Sequence, residues 1–143
     1  MLNQLHLAML GLYKGDAKRI QHFCKVHSYA KLIAECEKVD KETLFVLEAA
    51  ALTHDIGIHL CEEKYGDCSG KLQEKEGPAI AARLLGELEF DKQVSERVQY
   101  LIAHHHTYNN IDEMDYQILV EADFLVNIME DGLSKEAALK AYH

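Results

Sequence analysis

The stretch Ala50-Ala51-Leu52-Thr53-His54-Asp55-Ile56-Gly57 closes an apolar helical segment with an imidazole beside a carboxylate. A hydrophobic core excludes such a pair unless its charges are matched or bound to a metal ion. Gly57 then lets the chain turn away from the helix. Leu44, Leu47, Ala51, His54, Asp55 and Ile58 follow the spacing of one helix face, which sets His54 and Asp55 on or beside the buried side.

The same pattern recurs along the chain. His22 leads Val26, Tyr29 and Ile33 at helical spacing; Val94, Val98, Leu101, Ile102 and His105 form another stripe. A further stripe, Tyr116, Leu119, Val120, Asp123, Phe124 and Asn127, has an aspartate in its middle. Each polar residue alone reads as a hydrogen-bonded core group. Together, four helices each direct a His or Asp inward, and satisfying them separately is costly. A divalent cation that binds neutral imidazole and ionised carboxylate removes these costs at one point. His22, His54, Asp55 and Asp123 are therefore expected to converge.

Helical periodicity dominates and strand-like alternation is almost absent, so the fold expected is an all-α bundle of about six to seven helices in one domain spanning 1–143. The spacing predicts helices over 2–13, 17–38, 42–54, 78–89, 92–106, 113–130 and 135–142. Asp16, Asp40, Asp91, Asp112 and Ser134 read as N-caps or first-turn acids. Residues 58–77, containing Gly66, Ser69 and Gly70, read as irregular, with Pro78, the single proline, as the first residue of the next helix.

The chain has 143 residues, 48% of them apolar, and a formal net charge of -9. That charge argues against a nucleic-acid backbone as partner. A small phosphorylated molecule is compatible with it if bound cations supply positive charge. No apolar run approaches the ~20 residues that span a bilayer, and the start Met1-Leu2-Asn3-Gln4-Leu5-His6 does not read as a signal peptide. A cytoplasmic protein without membrane association is expected, and the sequence is silent on its oligomeric state. Cys24, Cys36, Cys61 and Cys68 form no Cys-x-x-Cys pair and read as reduced, the alternative being a redox or metal loop at Cys61 and Cys68.

The ordered set His22, His54-Asp55, Asp123 resembles the HD superfamily of metal-dependent phosphohydrolases. Its flanks are similar too: Arg19-Ile20-Gln21-His22 in the opening helix, Leu52-Thr53-His54-Asp55-Ile56-Gly57, and Ala122-Asp123-Phe124-Leu125. The resemblance runs from about residue 19 to 127. It implies that His22, His54, Asp55 and Asp123 are ligands of a divalent metal such as Mn, Fe, Ni, Zn or Mg, a donor set that suits borderline cations. It also implies a possible second site. There His105 and His106 match the later ligands of dinuclear relatives, whereas Gln73 stands where those relatives have a His. Where many relatives have Lys after the His-Asp-x-Gly block, this chain has Ile58, followed by His59.

The implied activity is hydrolysis of a phosphoester, of a nucleotide or other small phosphorylated metabolite. In that reading Asp55 and Asp123 orient the attacking water, Arg19 holds a phosphate, and Glu76 protonates the leaving oxygen. The pocket walls are expected from 58–73 and from Thr107-Tyr108-Asn109-Asn110, with His104 at the surface. The alternatives are a di-iron oxygenase of the same superfamily, disfavoured by Gln73, and a non-catalytic binding or signalling module.

Overall fold

The computed structural model describes residues 1–131, which form seven helices: α1 (Leu2–Leu12), α2 (Ala17–Cys36), α3 (Lys41–Thr53), α4 (Ile58–Tyr65), α5 (Gly70–Glu87), α6 (Lys92–His104) and α7 (Met114–Asp131). The helix expected over 135–142, with Ser134 as its cap, lies outside the described residues. The all-helical expectation holds: among the described residues there is no strand.

Helix α3 organises the rest. Asp40 caps it by accepting from the Thr43 backbone N–H at 2.7 Å, and every residue from Val46 to Thr53 is buried. A helix apolar on all sides belongs at the centre of a bundle. Accordingly α3 packs against α1, α2, α6 and α7, while α2 packs on α7, and α5 on α4 and α6. The polar residue in its middle, Glu48, is buried and faces His27 of α2 at 3.0 Å. Asp16 and Asp91 cap α2 and α6 as expected, accepting from the Arg19 and Gln93 backbone N–H groups. Asp112 stands just before α7. Its two oxygens accept from Arg97 at 2.9 and 3.0 Å, and Asp115 takes the same guanidinium at 2.7 and 2.9 Å, which ties the start of α7 to α6.

Two sequence expectations need correction. The segment 58–77 is mostly helical: α4 occupies Ile58–Tyr65 and ends at Gly66, whose φ of 67° is left-handed. After it, Ser69 accepts from the Leu72 N–H and starts α5 eight residues before Pro78. Pro78 thus lies inside a helix, where it removes the hydrogen bond to the Glu74 carbonyl. The Gly-Pro pair imitates a helix start, but α5 is held in place by packing on α6 and α4. The second correction concerns apolar length. Lys41–Tyr65 contains a window of mean hydropathy 1.4, long and apolar enough to cross a bilayer. In the bundle 78% of that window is buried, and the turn at His54–Gly57 interrupts it.

That turn is pressed against α5. A methyl group added at Gly57 would stand 3.1 Å from both Cα and N of Gly77, and one added at Gly77 would stand 2.8 Å from Ile102 Cγ2. Both residues must lack a side chain for the His54-Asp55 turn, α5 and α6 to meet this closely. Gly57→Ala is therefore expected to lose about 1–3 kcal/mol by overpacking against backbone that has no room to yield. Urea denaturation checks this; an unchanged midpoint and slope would contradict it.

Candidate metal centre

His54 is the residue that ends α3, and His105 is the residue that ends α6. The last carbonyls of a helix are short of backbone donors, and each histidine ring supplies one, for Ile102 beside a 3.5 Å bond from the His105 backbone N–H. His54 Nδ1–H donates to the Ala51 carbonyl at 2.7 Å, and His105 Nδ1–H to the Ile102 carbonyl at 2.6 Å. A carbonyl only accepts, so a proton sits on Nδ1 of each ring and Nε2 is the atom that faces the centre. Both rings are buried. The negative ends of the two helices add a field that favours a cation.

Asp55 follows His54 in the turn, where the buried hydroxyl of Tyr13, the residue after α1, donates to its backbone carbonyl at 2.5 Å. Its side chain is shared between two sides. Oδ2 lies 3.2 Å from His22 Nε2 and 3.3 Å from His54 Nε2, while Oδ1 lies 3.7 Å from His105 Nε2. From α7, Asp123 Oδ1 stands 3.1 Å from His22 Nε2 and 3.4 Å from His54 Nε2. The two Nε2 atoms are 3.3 Å apart. The four residues singled out in the sequence thus come together around one point.

Lone pairs and carboxylates this close need a positive charge between them. Burial disfavours a charged His22, but its hydrogen bonds with Asp123 and Asp55 prevail and push its pKa up to about 10. His54 is likewise raised well above the ordinary imidazole value, against burial, chiefly by the charge of Asp55. Burial would raise Asp55 and Asp123 as well. The charge of His54 and contacts with His105 and His22 hold Asp55 well below the carboxylate range, and contacts with His22 and His54 do the same for Asp123. Protons and a divalent cation compete for the same lone pairs.

Donor atoms of His22, His54 and Asp123 lie within 4.8 Å of one another, and so do those of Asp55, His105 and His106. Asp55 belongs to the second group through geometry and borders the first through Oδ2. Among the described residues, three buried side-chain atoms make no hydrogen bond: His105 Nε2, His106 Nε2 and Gln73 Oε1. The Gln73 amide donates to the Cys68 carbonyl at 2.7 Å, which leaves its oxygen as the free acceptor. Burial and the neighbouring His105 push His106 down to about 4, so it is neutral and able to ligate at physiological pH. The residues fit a divalent cation: two imidazoles and two carboxylates in one place, with a weaker set of imidazoles and an amide beside it.

This centre opens into a cavity of about 240 Å³, lined by His22, Asp55, Gln73, His106 and Asp123 together with Lys18, Arg19, Ile58, Cys68, Asn127 and Glu130. Arg19 reaches it, but its Nη1 is held by Asp16 at 3.2 Å and Glu62 at 2.5 Å. Glu76 does not. Its Oε1 accepts from Tyr65 at 2.7 Å and Lys64 at 3.2 Å, which hold the carboxyl below its ordinary value and ionised, so the expected proton donor is corrected. The expectation for Thr107-Tyr108-Asn109-Asn110 also fails: none of the four lines the cavity. Tyr108 is exposed, and Thr107 donates to Glu74, which also accepts from the His106 backbone N–H at 3.1 Å. His104 is half-buried, stacked on Tyr100 and bonded to its carbonyl. All four cysteines are free, and neither group of candidate ligands includes one.

Sequence reasoning missed Tyr13, Glu74 and Glu130. The first two act on backbone atoms, and the third pairs with His22 across 108 positions. No local pattern announces any of them.

A model of the HD domain matches residues 19–138, most of the chain. Comparison with curated proteins and with solved structures gives no match.

Titrating Mn²⁺ into chelator-treated protein is expected to give one strong site and at most one weak one. Uptake at pH 7 should release protons, because His22, with its pKa near 10, and His54 hold protons that the cation displaces. Affinity should accordingly rise with pH from 6 to 9. Calorimetry in buffers of different ionisation enthalpy reads the release; proton-neutral uptake or two equally tight sites would contradict the geometry.

Proposed function

Because the chain belongs to the HD domain family, whose members are largely metal-dependent hydrolases, we propose that it hydrolyses a phosphoester of a small molecule, a nucleotide or a comparable phosphorylated metabolite. The observation that carries this reading is that His22 Nε2 and His54 Nε2 each lie 3.1–3.4 Å from Asp55 Oδ2 and Asp123 Oδ1, beside an open cavity. In this reading those four residues hold the cation, with His105, His106 and Gln73 beside it as a looser set.

A divalent cation held there supplies Lewis-acid polarisation of a phosphoryl oxygen and a water acidic enough to ionise near pH ~7. The chain's own residues do the rest. Asp55 and Asp123, both ionised, accept hydrogen bonds from the attacking water and fix its direction. His106, neutral at pH 7, offers a further acceptor on the cavity wall. On the first turn of α2 two cations line the cavity. The charge of Arg19 is already offset by Asp16 and Glu62, so Lys18 is the cation left to meet the non-reacting phosphoryl oxygens. With Ile58 where many relatives have Lys, this turn carries the positive charge of the site. Its size suits a small substrate, and the chain's net charge of -9 favours one that diffuses freely over a polyanion.

A chromogenic phosphodiester and a nucleotide panel test the reading. Metal-replete wild type should turn over at least one of them. Asp55→Ala should lose both metal retention and turnover while keeping its far-UV helical signal. Full activity in a metal-replete Asp55→Ala variant would overturn the assignment, and tight metal binding without turnover of any phosphoester would favour a binding module.

A further inference from the structure

Three histidines of the centre point Nε2 inward, but they are held in two different ways. His54 and His105 each stand at a helix end and donate Nδ1–H to a carbonyl three residues back in their own helix. Those bonds are local and form with the helix. His22 lies inside α2, one turn from its start, where the carbonyls of the preceding turn serve the helix backbone. Its Nδ1 finds a partner from outside: Oε1 of Glu130, at 2.6 Å, from the last turn of α7. A carboxylate accepts only, so Nδ1 carries a proton whether or not a cation is bound, and Nε2, which faces His54, Asp55 and Asp123, is the nitrogen whose proton a cation displaces.

The surroundings of Glu130 suit this one task. Its side chain is 18% exposed and lines the same cavity. Among the described residues its only ion-pair partner is His22. It also sits seven residues after Asp123, two helical turns along one face of α7. One helix therefore brings both a carboxylate to the centre and a carboxylate to the back of His22.

We propose that Glu130 is the positioning residue of the metal centre. It fixes the tautomer and ring orientation of His22, makes Nε2 a stronger donor, and so makes cation affinity depend on the docking of the end of α7 against α2. The inference rests on the metal-centre reading above. Carboxylates behind ligating imidazoles are worth roughly 10–100-fold in metal affinity, and the two histidines held by carbonyls lack that negative charge.

The test compares wild type, Glu130→Gln and Glu130→Ala. Zn²⁺ affinity is read by competition with a chromophoric chelator, folding by far-UV circular dichroism, and the His22 ring by nitrogen-15 NMR. Glu130→Ala should bind Zn²⁺ 10–100-fold more weakly with unchanged helicity, and its His22 Hδ1 resonance should be lost to solvent exchange. Glu130→Gln, whose amide oxygen accepts the same hydrogen bond without the charge, should keep that resonance and lose less affinity. Equal Zn²⁺ affinity in all three proteins would overturn the inference, as would a protected His22 Hδ1 in Glu130→Ala. If wild type takes up no Zn²⁺, the metal-centre reading fails by itself. The Hδ1 resonance in wild type and its loss in Glu130→Ala then still decide whether Glu130 positions His22.

Discussion

In the middle of this bundle the Nε2 atoms of His22 and His54 lie 3.3 Å apart, and each lies 3.1–3.4 Å from Asp55 Oδ2 and Asp123 Oδ1. Nothing in an apolar core compensates such crowding; only positive charge does. Protons satisfy it partly, which is why His22 and His54 are raised so far above an ordinary imidazole. A divalent cation satisfies it with one charge centre in place of several protons. The electrostatic demand of this point explains why four helices meet there, and why the residues that hold them sit where they do.

The helical scaffold meets that demand through its weak places. Two histidines at helix C-termini donate to carbonyls of their own last turns, so one residue both ties off a helix and aims Nε2 at the centre. The turn after His54 is held from one side by the Tyr13 hydroxyl and from the other by the contact of Gly57 with Gly77. On α5, Gln73 turns its amide towards the Cys68 carbonyl and leaves its oxygen in the cavity, and Glu74 holds the His106 backbone from the same helix. Helix α7 supplies Asp123 and, two turns on, Glu130. The site is therefore built on helix ends and helix faces, and its exposed loop at 108–110 takes no part in lining it.

Much of this was legible in the sequence because helical periodicity is strong and the polar exceptions to it are few. The stripes ending in His54 and His105, and the one interrupted by Asp123, placed the converging side chains correctly. What was missed has identifiable causes. Gly66, Ser69 and Gly70 looked like a loop, although Gly66 ends one helix and Ser69 starts the next. Gly77-Pro78 looked like a helix start because proline is well placed there; in the fold the pair sits mid-helix, and Gly77 is needed for close packing against the His54 turn. Glu76 was read as the proton donor, and Glu74 was not singled out. In α5 the residue at 74 faces His106 and the one at 76 faces Lys64 and Tyr65. Glu130 had no local signature, since its meaning lies in a partner on another helix.

Crystals of the protein grown with Mn²⁺ and measured for anomalous scattering test the central claim most directly. The account predicts a strong anomalous peak within about 2.0–2.3 Å of His22 Nε2, His54 Nε2, Asp55 Oδ2 and Asp123 Oδ1, a range typical of first-row cations with N and O ligands. Any second peak should be weaker and lie towards His105 and His106. A manganese ion bound elsewhere, or the four side chains hydrogen-bonded to one another with no peak between them at saturating metal, would contradict it.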